Sequence, residues 1–262
     1  MRIAFGPVLA ALLLTWPTLA SAQDDTSAPP PDATPAALQP AAVPSDATSS
    51  GATPSDSAPS DTPDSAPVAR PQRADFQDEP ASDDARRVAD WAVRSDDNHG
   101  MPFIIIDKRA AKLFVFDSSG RLQGATLVLL GKAVGDDSAP DVGHEKLSAI
   151  PLEDQTTPAG RFMAAPARER NVPFFWVDYE HAVSLHRVVT PPGENRLARL
   201  ATTSTDDKRI SHGCINVAVK FFDDVVLKTF SDKGGIVYIL PEVKSVEEVF
   251  PAIAEVDVAQ GQ

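Results

Sequence analysis

The run Arg209-Ile210-Ser211-His212-Gly213-Cys214-Ile215-Asn216 contains the single cysteine of a 262-residue chain. A thiol attacks a carbonyl only as thiolate, and an imidazole within reach both favours that form and can later protonate the leaving amine. Two histidines are candidates for that partner: His212, just before the cysteine, and His186, inside the apolar run Val183-Ser184-Leu185-His186. Residues two apart in a tight turn seldom reach one another linearly, so His212 is expected to shape the pocket rather than act as base. Gly213 removes a side chain where backbone must approach a reacting carbonyl, which offers backbone N–H groups to an oxyanion; losing one such donor typically costs about 100- to 1,000-fold in rate. Ser211 is placed to orient the turn by hydrogen bonding. The chemistry is that of cysteine-dependent acyl transfer and calls for no cofactor. No metal site is expected either, since His186, His212 and Cys214 have no fourth ligand at a recognisable spacing.

These residues sit in β-rich sequence. Phe103-Ile104-Ile105-Ile106-Asp107 and Lys112-Leu113-Phe114-Val115-Phe116-Asp117, joined by a short polar turn, predict a strand pair. Residues 122–130, 161–165, 174–177, 182–189 and 235–240 add β-branched or aromatic runs bounded by Gly, Pro and Asp. A late helix is expected with Asn216 as N-cap and Phe221, Phe222, Val225, Val226 and Phe230 on its inner face. Residues 100–242 thus form one domain of roughly 140 residues, large enough for its own core. A helix over 85–99, opened by Ser82 and by Asp83 and Asp84 in its first turn, should pack on that domain. Residues 243–262 read as a short, acidic, peripheral tail.

The N-terminus places the thiol outside the cytoplasm. Met1-Arg2 is basic, Ile3 to Leu14 is mostly apolar, and Ala20-Ser21-Ala22 has the small-x-small cleavage pattern, so residues 1–22 read as a signal peptide. The apolar stretch is too short for a stable membrane span. The expected destination is the periplasm or cell wall, with no membrane span after cleavage. A lone cysteine in an oxidising compartment has no disulfide partner within the chain, and nucleophilic chemistry would explain it. Residues 23–84 are rich in Ala, Pro, Ser, Thr and Asp and poor in large apolar side chains, which predicts a disordered spacer. Most of the net charge of −13 falls there, and its sign argues against nucleic acid as a partner.

Ser211-His212-Gly213-Cys214-Ile215-Asn216, the upstream Val183-Ser184-Leu185-His186 and Thr157-Pro158-Ala159-Gly160-Arg161-Phe162 together resemble the L,D-transpeptidase catalytic domain of the YkuD type, over residues 101–241. The resemblance implies a mainly β, β-sandwich-like catalytic domain with one or two short helices, behind a disordered Pro/Ala/Asp-rich tail. It implies a cell-wall enzyme that attacks peptidoglycan peptide stems at the bond between diaminopimelate and the terminal D-alanine. A thioester forms on the cysteine, and the amine of a second stem resolves it into a 3-3 crosslink. Carried onto this chain, Cys214 is the nucleophile, His186 the base, and the Arg187 carbonyl orients that base. His212 and Ser211 shape the pocket beside the backbone of Gly213, and Arg187, Arg209 and Asn216 are candidates for substrate binding. His181 competes with His186; residues five apart in one strand face opposite ways, and the motif places His186 in the strand interior. Two other outcomes share these motifs: hydrolysis of the same acyl-enzyme by an L,D-carboxypeptidase or amidase, and a weakly catalytic wall-binding or tethering protein. No protein partner is legible.

The chain departs from that pattern in three places. Arg187 follows the histidine where a small residue is usual, and could pair a stem carboxylate. The interval from His186 to Ser211 is long, with Pro191 to Arg196 and Thr202 to Lys208 expected to form a rim loop whose Arg196, Arg199 and Lys208 add positive charge. Residues 132–155 form a second insertion without strand or helix pattern. Its Asp136, Asp137 and Asp141 lack the alternation of a calcium loop and are expected to be solvated.

Overall fold

The computed structural model describes residues 73–231 and 233–254. The expected signal peptide, the spacer as far as residue 72 and the tail beyond 254 lie outside the described residues.

The first helix, α1 (Asp83–Arg94), begins where its capping chemistry dictates. The Ser82 hydroxyl accepts from the Ala85 N–H at 3.1 Å and donates to Asp107 at 2.6 Å, so one side chain both caps the helix and ties its start to the sheet. Ala85, Val88, Ala89, Trp91, Ala92 and Val93 are its buried residues. The helix therefore opens two residues earlier, and ends five earlier, than the 85–99 expected.

Strands β1 (Phe103–Asp107), β2 (Lys112–Phe116) and β3 (Leu122–Leu127) form an antiparallel meander. The chain continues through β4 (Leu130–Gly131), the long β5 (Gly160–Glu169), β6 (Val172–Asp178) and β7 (Val183–Arg187). After α2 (Arg196–Ala201) come β8 (Arg209–Ser211) and β9 (Ile215–Val217). Next, α3 (Val219–Phe221) runs through a π turn at Phe222–Val226 into α4 (Leu227–Phe230), followed by β10 (Gly235–Ile239) and α5 (Val246–Val249). Eight strands make one sheet in the order β3-β2-β1-β10-β5-β6-β7-β9, and β4 pairs with β8. The domain is mainly β, as expected. Its helices exceed the one or two expected, because the apolar spacings in Arg196–Ala201 and Val246–Val249 are too short to stand out from loop and tail sequence.

Strand β5 turns the sheet on itself. Its first half, Gly160 to Ala164, pairs with β10, and its second half, Ala165 to Glu169, pairs with β6. A strand shared in this way lets the two halves of a sheet face each other across a common core. Ile104, Ile106, Leu113 and Val115 from one half accordingly pack with Phe175, Val177, Val183, Leu185, Ile215 and Val217 from the other. Phe103 and Ile105, on the opposite face of β1, join a second core with α1. That double-sided burial explains the unbroken apolar run of β1, which lacks the alternation of a half-exposed strand.

Two expectations are corrected here. Residues 73–84 are not spacer. Asp75 exchanges backbone hydrogen bonds with Gly120 and Leu122 at 2.8 and 2.9 Å, and Phe76 lies edge-on against Phe114 and Phe116 at centroid distances of 5.4 and 4.9 Å. One aromatic at the end of a Pro- and Asp-rich run is invisible to averaged composition, yet it buries enough surface to dock the segment. The segment after Pro241 is not peripheral either. Val246, Phe250 and Ile253 recur at helical spacing and are buried in the core that includes Trp91 and Tyr238, with a Ser245–Glu248 capping box starting the helix.

Candidate active site

Alternation along β7 decides which residues meet. Val183 and Leu185 point into the core between the two halves of the sheet, so Ser184 and His186 share the opposite face. β7 lies parallel to β9 with Leu185 opposite Ile215 and His186 opposite Asn216. Ile215 and Val217 also enter the core, which leaves Cys214 and Asn216 on the same face as Ser184 and His186.

At that meeting point the half-buried Cys214 receives the Ser184 hydroxyl at 3.4 Å from Oγ to Sγ, and His186 stands on the same face, near enough to act on the thiol. The Ala182 carbonyl lies 3.5 Å from Sγ and accepts from the thiol form. On the other side of its ring, His186 Nδ1 is 2.7 Å from the Arg187 carbonyl, which fixes Nδ1 as the protonated nitrogen and turns Nε2 to the sulfur. Burial pushes the Cys214 thiol up, but the hydrogen bond and charge of His186, helped by Ser184, outweigh it and bring the thiol down to about 7. Burial likewise disfavours the charged imidazole, and here too the sulfur and the Arg187 carbonyl prevail, so His186 is raised. Both shifts favour a thiolate–imidazolium pair.

The turn carrying Cys214 is closed by two hydroxyls. Ser211 Oγ accepts from the Gly213 N–H at 3.2 Å and donates to the Cys214 carbonyl at 2.6 Å. Of the backbone around Gly213-Cys214 expected to supply oxyanion donors, the Gly213 N–H is therefore already engaged, leaving the Cys214 N–H as the turn's candidate donor. Thr157, fully buried, donates to the Gly213 carbonyl at 2.8 Å and accepts from the Gly131 N–H at 2.8 Å. Gly213 has φ +131°, and a Cβ there would stand 2.9 Å from the Thr156 carbonyl oxygen, so both conformation and space demand glycine. His212 is half-buried between β8 and Cys214.

Behind Thr157 lies a buried ion cluster. Lys108 donates to the Thr157 carbonyl at 2.9 Å and to Asp136 at 2.8 Å, with Glu242 at 3.5 Å. Asp136 also accepts from the backbone N–H groups of Glu242, Val243 and Lys244 at 2.8, 2.9 and 2.7 Å. Asp136 is thus buried and paired, not solvated as its loop composition suggested.

The cations expected to meet substrate carboxylates are largely committed within the protein. Arg187 pairs with Asp223, donating from Nε at 2.6 Å, and lies 4.9 Å above the Phe222 ring. Arg209 pairs with Glu242. Lys208 is buried with its ammonium on the carbonyls of Leu200 and Thr202 at 3.3 and 2.7 Å, capping the end of α2. Arg196 pairs with Glu194 and donates to Asn216 at 3.1 Å. Asn216, fully buried in β9, in turn donates to the Cys214 carbonyl at 3.2 Å. It supports the Cys214 turn from within and is not a helix cap; the following helix starts after Ala218. The rim between His186 and Ser211 is a folded segment tied to the site through Arg196 and Asn216. His181 lies in the β6–β7 turn with Nδ1 2.8 Å from Asp178, so its exclusion follows from that turn and not from strand parity.

Ser184 and Thr157 are the site residues that sequence reasoning did not assign. The Val-Ser-Leu-His alternation contained the signal for Ser184, since it shares the parity of His186. A cleft of about 680 Å³ lined by Met101, Gln123, Asp224, Lys228 and Lys233 lies elsewhere and does not include Cys214. Among the described residues, no cluster of three or more His, Cys, Asp or Glu could hold a metal, and no helix is long and apolar enough to cross a membrane.

No protein-family model matches the chain, and no curated protein matches it. Solved structures similar to it include the Ldtfm–avibactam carbamoyl enzyme, at 18% identity and TM-score 0.34, covering 54% of this chain and 49% of that one. A mutant Enterococcus faecium L,D-transpeptidase is similar at 19% identity and TM-score 0.33, covering 53% and 50%. The catalytic domain of the E. faecium L,D-transpeptidase is similar at 16% identity and TM-score 0.35, covering 53% of this chain and 96% of that one. The chain spans about half the length of the first two.

Proposed function

We propose that this chain is an exported L,D-transpeptidase that forms a thioester on Cys214 from a peptidoglycan tetrapeptide stem and transfers it to an amine. The observation that carries the reading is the Cys214–His186 pair, with His186 Nδ1 held on the Arg187 carbonyl and the Ser-His-Gly-Cys turn locked around the sulfur. In the first step the Cys214 thiolate attacks the carbonyl carbon; a C–S bond forms, the C–N bond breaks, and the His186 imidazolium gives its proton to the departing D-alanine amine. In the second step neutral His186 takes a proton from the incoming amine, a C–N bond forms, and the thiolate leaves. The Cys214 N–H faces the oxyanion in both steps.

The test is a mass-spectrometric product assay on purified tetrapeptide-stem muropeptides. Crosslinked dimer with released D-alanine is the expected result, together with a covalent adduct on Cys214 from a carbapenem-type β-lactam. Tripeptide as the sole product at high acceptor concentration would move the assignment to a carboxypeptidase, and no turnover with no adduct would leave a binding module.

A further inference from the structure

Ser184 carries an inference that deepens the proposed function and rests on Cys214 being its nucleophile. Its hydroxyl sits at a strand position that is 8% exposed, flanked by the core residues Val183 and Leu185. A buried hydroxyl left without a partner costs about 1–3 kcal/mol, so serine at this position needs an acceptor. The acceptor its hydroxyl reaches is Cys214 Sγ, at 3.4 Å.

We propose that Ser184 is a positioning residue that holds the Cys214 thiolate through a fixed hydroxyl donor, separate from the mobile proton of His186. The division of labour follows from the chemistry. The His186 proton must depart with the leaving amine, whereas an alkyl hydroxyl keeps its proton throughout. A thioester sulfur is a far weaker acceptor than a thiolate, so the Ser184 bond favours the free thiolate over the acyl-enzyme and assists its departure in the second step. Few other charged groups bear on the pair. Arg196 on α2 opposes protonation of His186, Arg187 is turned to Asp223 and His181 to Asp178, and His212 occupies the turn between β8 and the sulfur.

The experiment is the pH dependence of Cys214 alkylation by iodoacetamide in the full chain, with thiolate ultraviolet absorbance as a second readout. Because it needs no substrate, its outcome is independent of whether the chain proves to be a transpeptidase. Ser184→Ala should raise the alkylation midpoint by about one pH unit. Ser184→Thr, which restores the hydroxyl, should return it toward wild type, and both variants should retain the wild-type thermal transition. In the product assay Ser184→Ala should accumulate acyl-enzyme. An unshifted midpoint in Ser184→Ala, or an equal shift in Ser184→Thr, would overturn the proposal by reducing Ser184 to strand packing. Should Ser184→Ala fail to fold, the absorbance titration of Ser184→Thr against wild type decides it: a midpoint displaced by a unit or more despite the hydroxyl counts against, and coincident curves count for.

Discussion

At the scale of single residues, the imidazole beside Cys214 works against the effect of burial on the thiol. Removing it should therefore do more than delete a base. In wild-type protein, alkylation of Cys214 should rise with pH through a midpoint of about 7. In His186→Ala burial is opposed only by Ser184 and should push that midpoint well above 7, and turnover should fall at least about 100-fold. Rapid alkylation of His186→Ala at neutral pH would contradict this. Cys214→Ala should abolish turnover and covalent adduct while changing stability by no more than about 1–2 kcal/mol, checked by denaturant unfolding. The juxtaposition of Cys214 and His186 was legible because the spacing and flanking apolar residues of each are local features. The commitments of Arg187 and Arg209 were not, because each cation's partner comes from a distant element, Asp223 from the π turn and Glu242 from beyond β10; Arg196 pairs locally with Glu194, and only its bond to Asn216 of β9 depends on the fold.

At the scale of elements, the Thr157 segment is the brace of the turn that carries Cys214. It joins Gly131 to Gly213 through one hydroxyl and is itself held by the buried Lys108. Thr157→Val keeps the shape and strands two buried polar groups. It should cost about 1–3 kcal/mol in denaturant unfolding and slow acylation without moving the alkylation midpoint, because no donor to the sulfur is lost. Strands were legible from β-branched runs, and α1 from Ser82 and its apolar spacing. The late helix was legible in its inner face but misplaced at its start: Asn216 is a common cap residue, yet the pairing of β9 with β7 claims it first.

At the scale of the whole molecule, both ends of the domain are closed by segments whose average composition concealed them. Phe76→Ala should destabilise by about 3–5 kcal/mol, and a chain beginning at residue 85 should lose stability far beyond what removal of a spacer would cause. The Lys108–Asp136 cluster adds a pH dependence. Burial alone would raise the Asp136 carboxyl, but Lys108 and three backbone N–H groups hold it down to about 2, against 3.8 ordinarily. Its contribution of about 2 kcal/mol is then complete above pH ~4 and lost as pH falls through ~2, a slope that acid unfolding of Asp136→Asn should lack. The strand order has a further effect, on timing. β10 fills the gap between β1 and β5, so the centre of the sheet is the last part of it to be synthesised. Until residues 235–239 arrive, β1 and β5 have no common neighbour, and the two halves of the sheet cannot lock together. A chain cut before Gly235 should show no cooperative unfolding transition, and the full chain should collapse late and all at once. A polypeptide threaded through a membrane pore would remain pliable until residues 235–239 had passed.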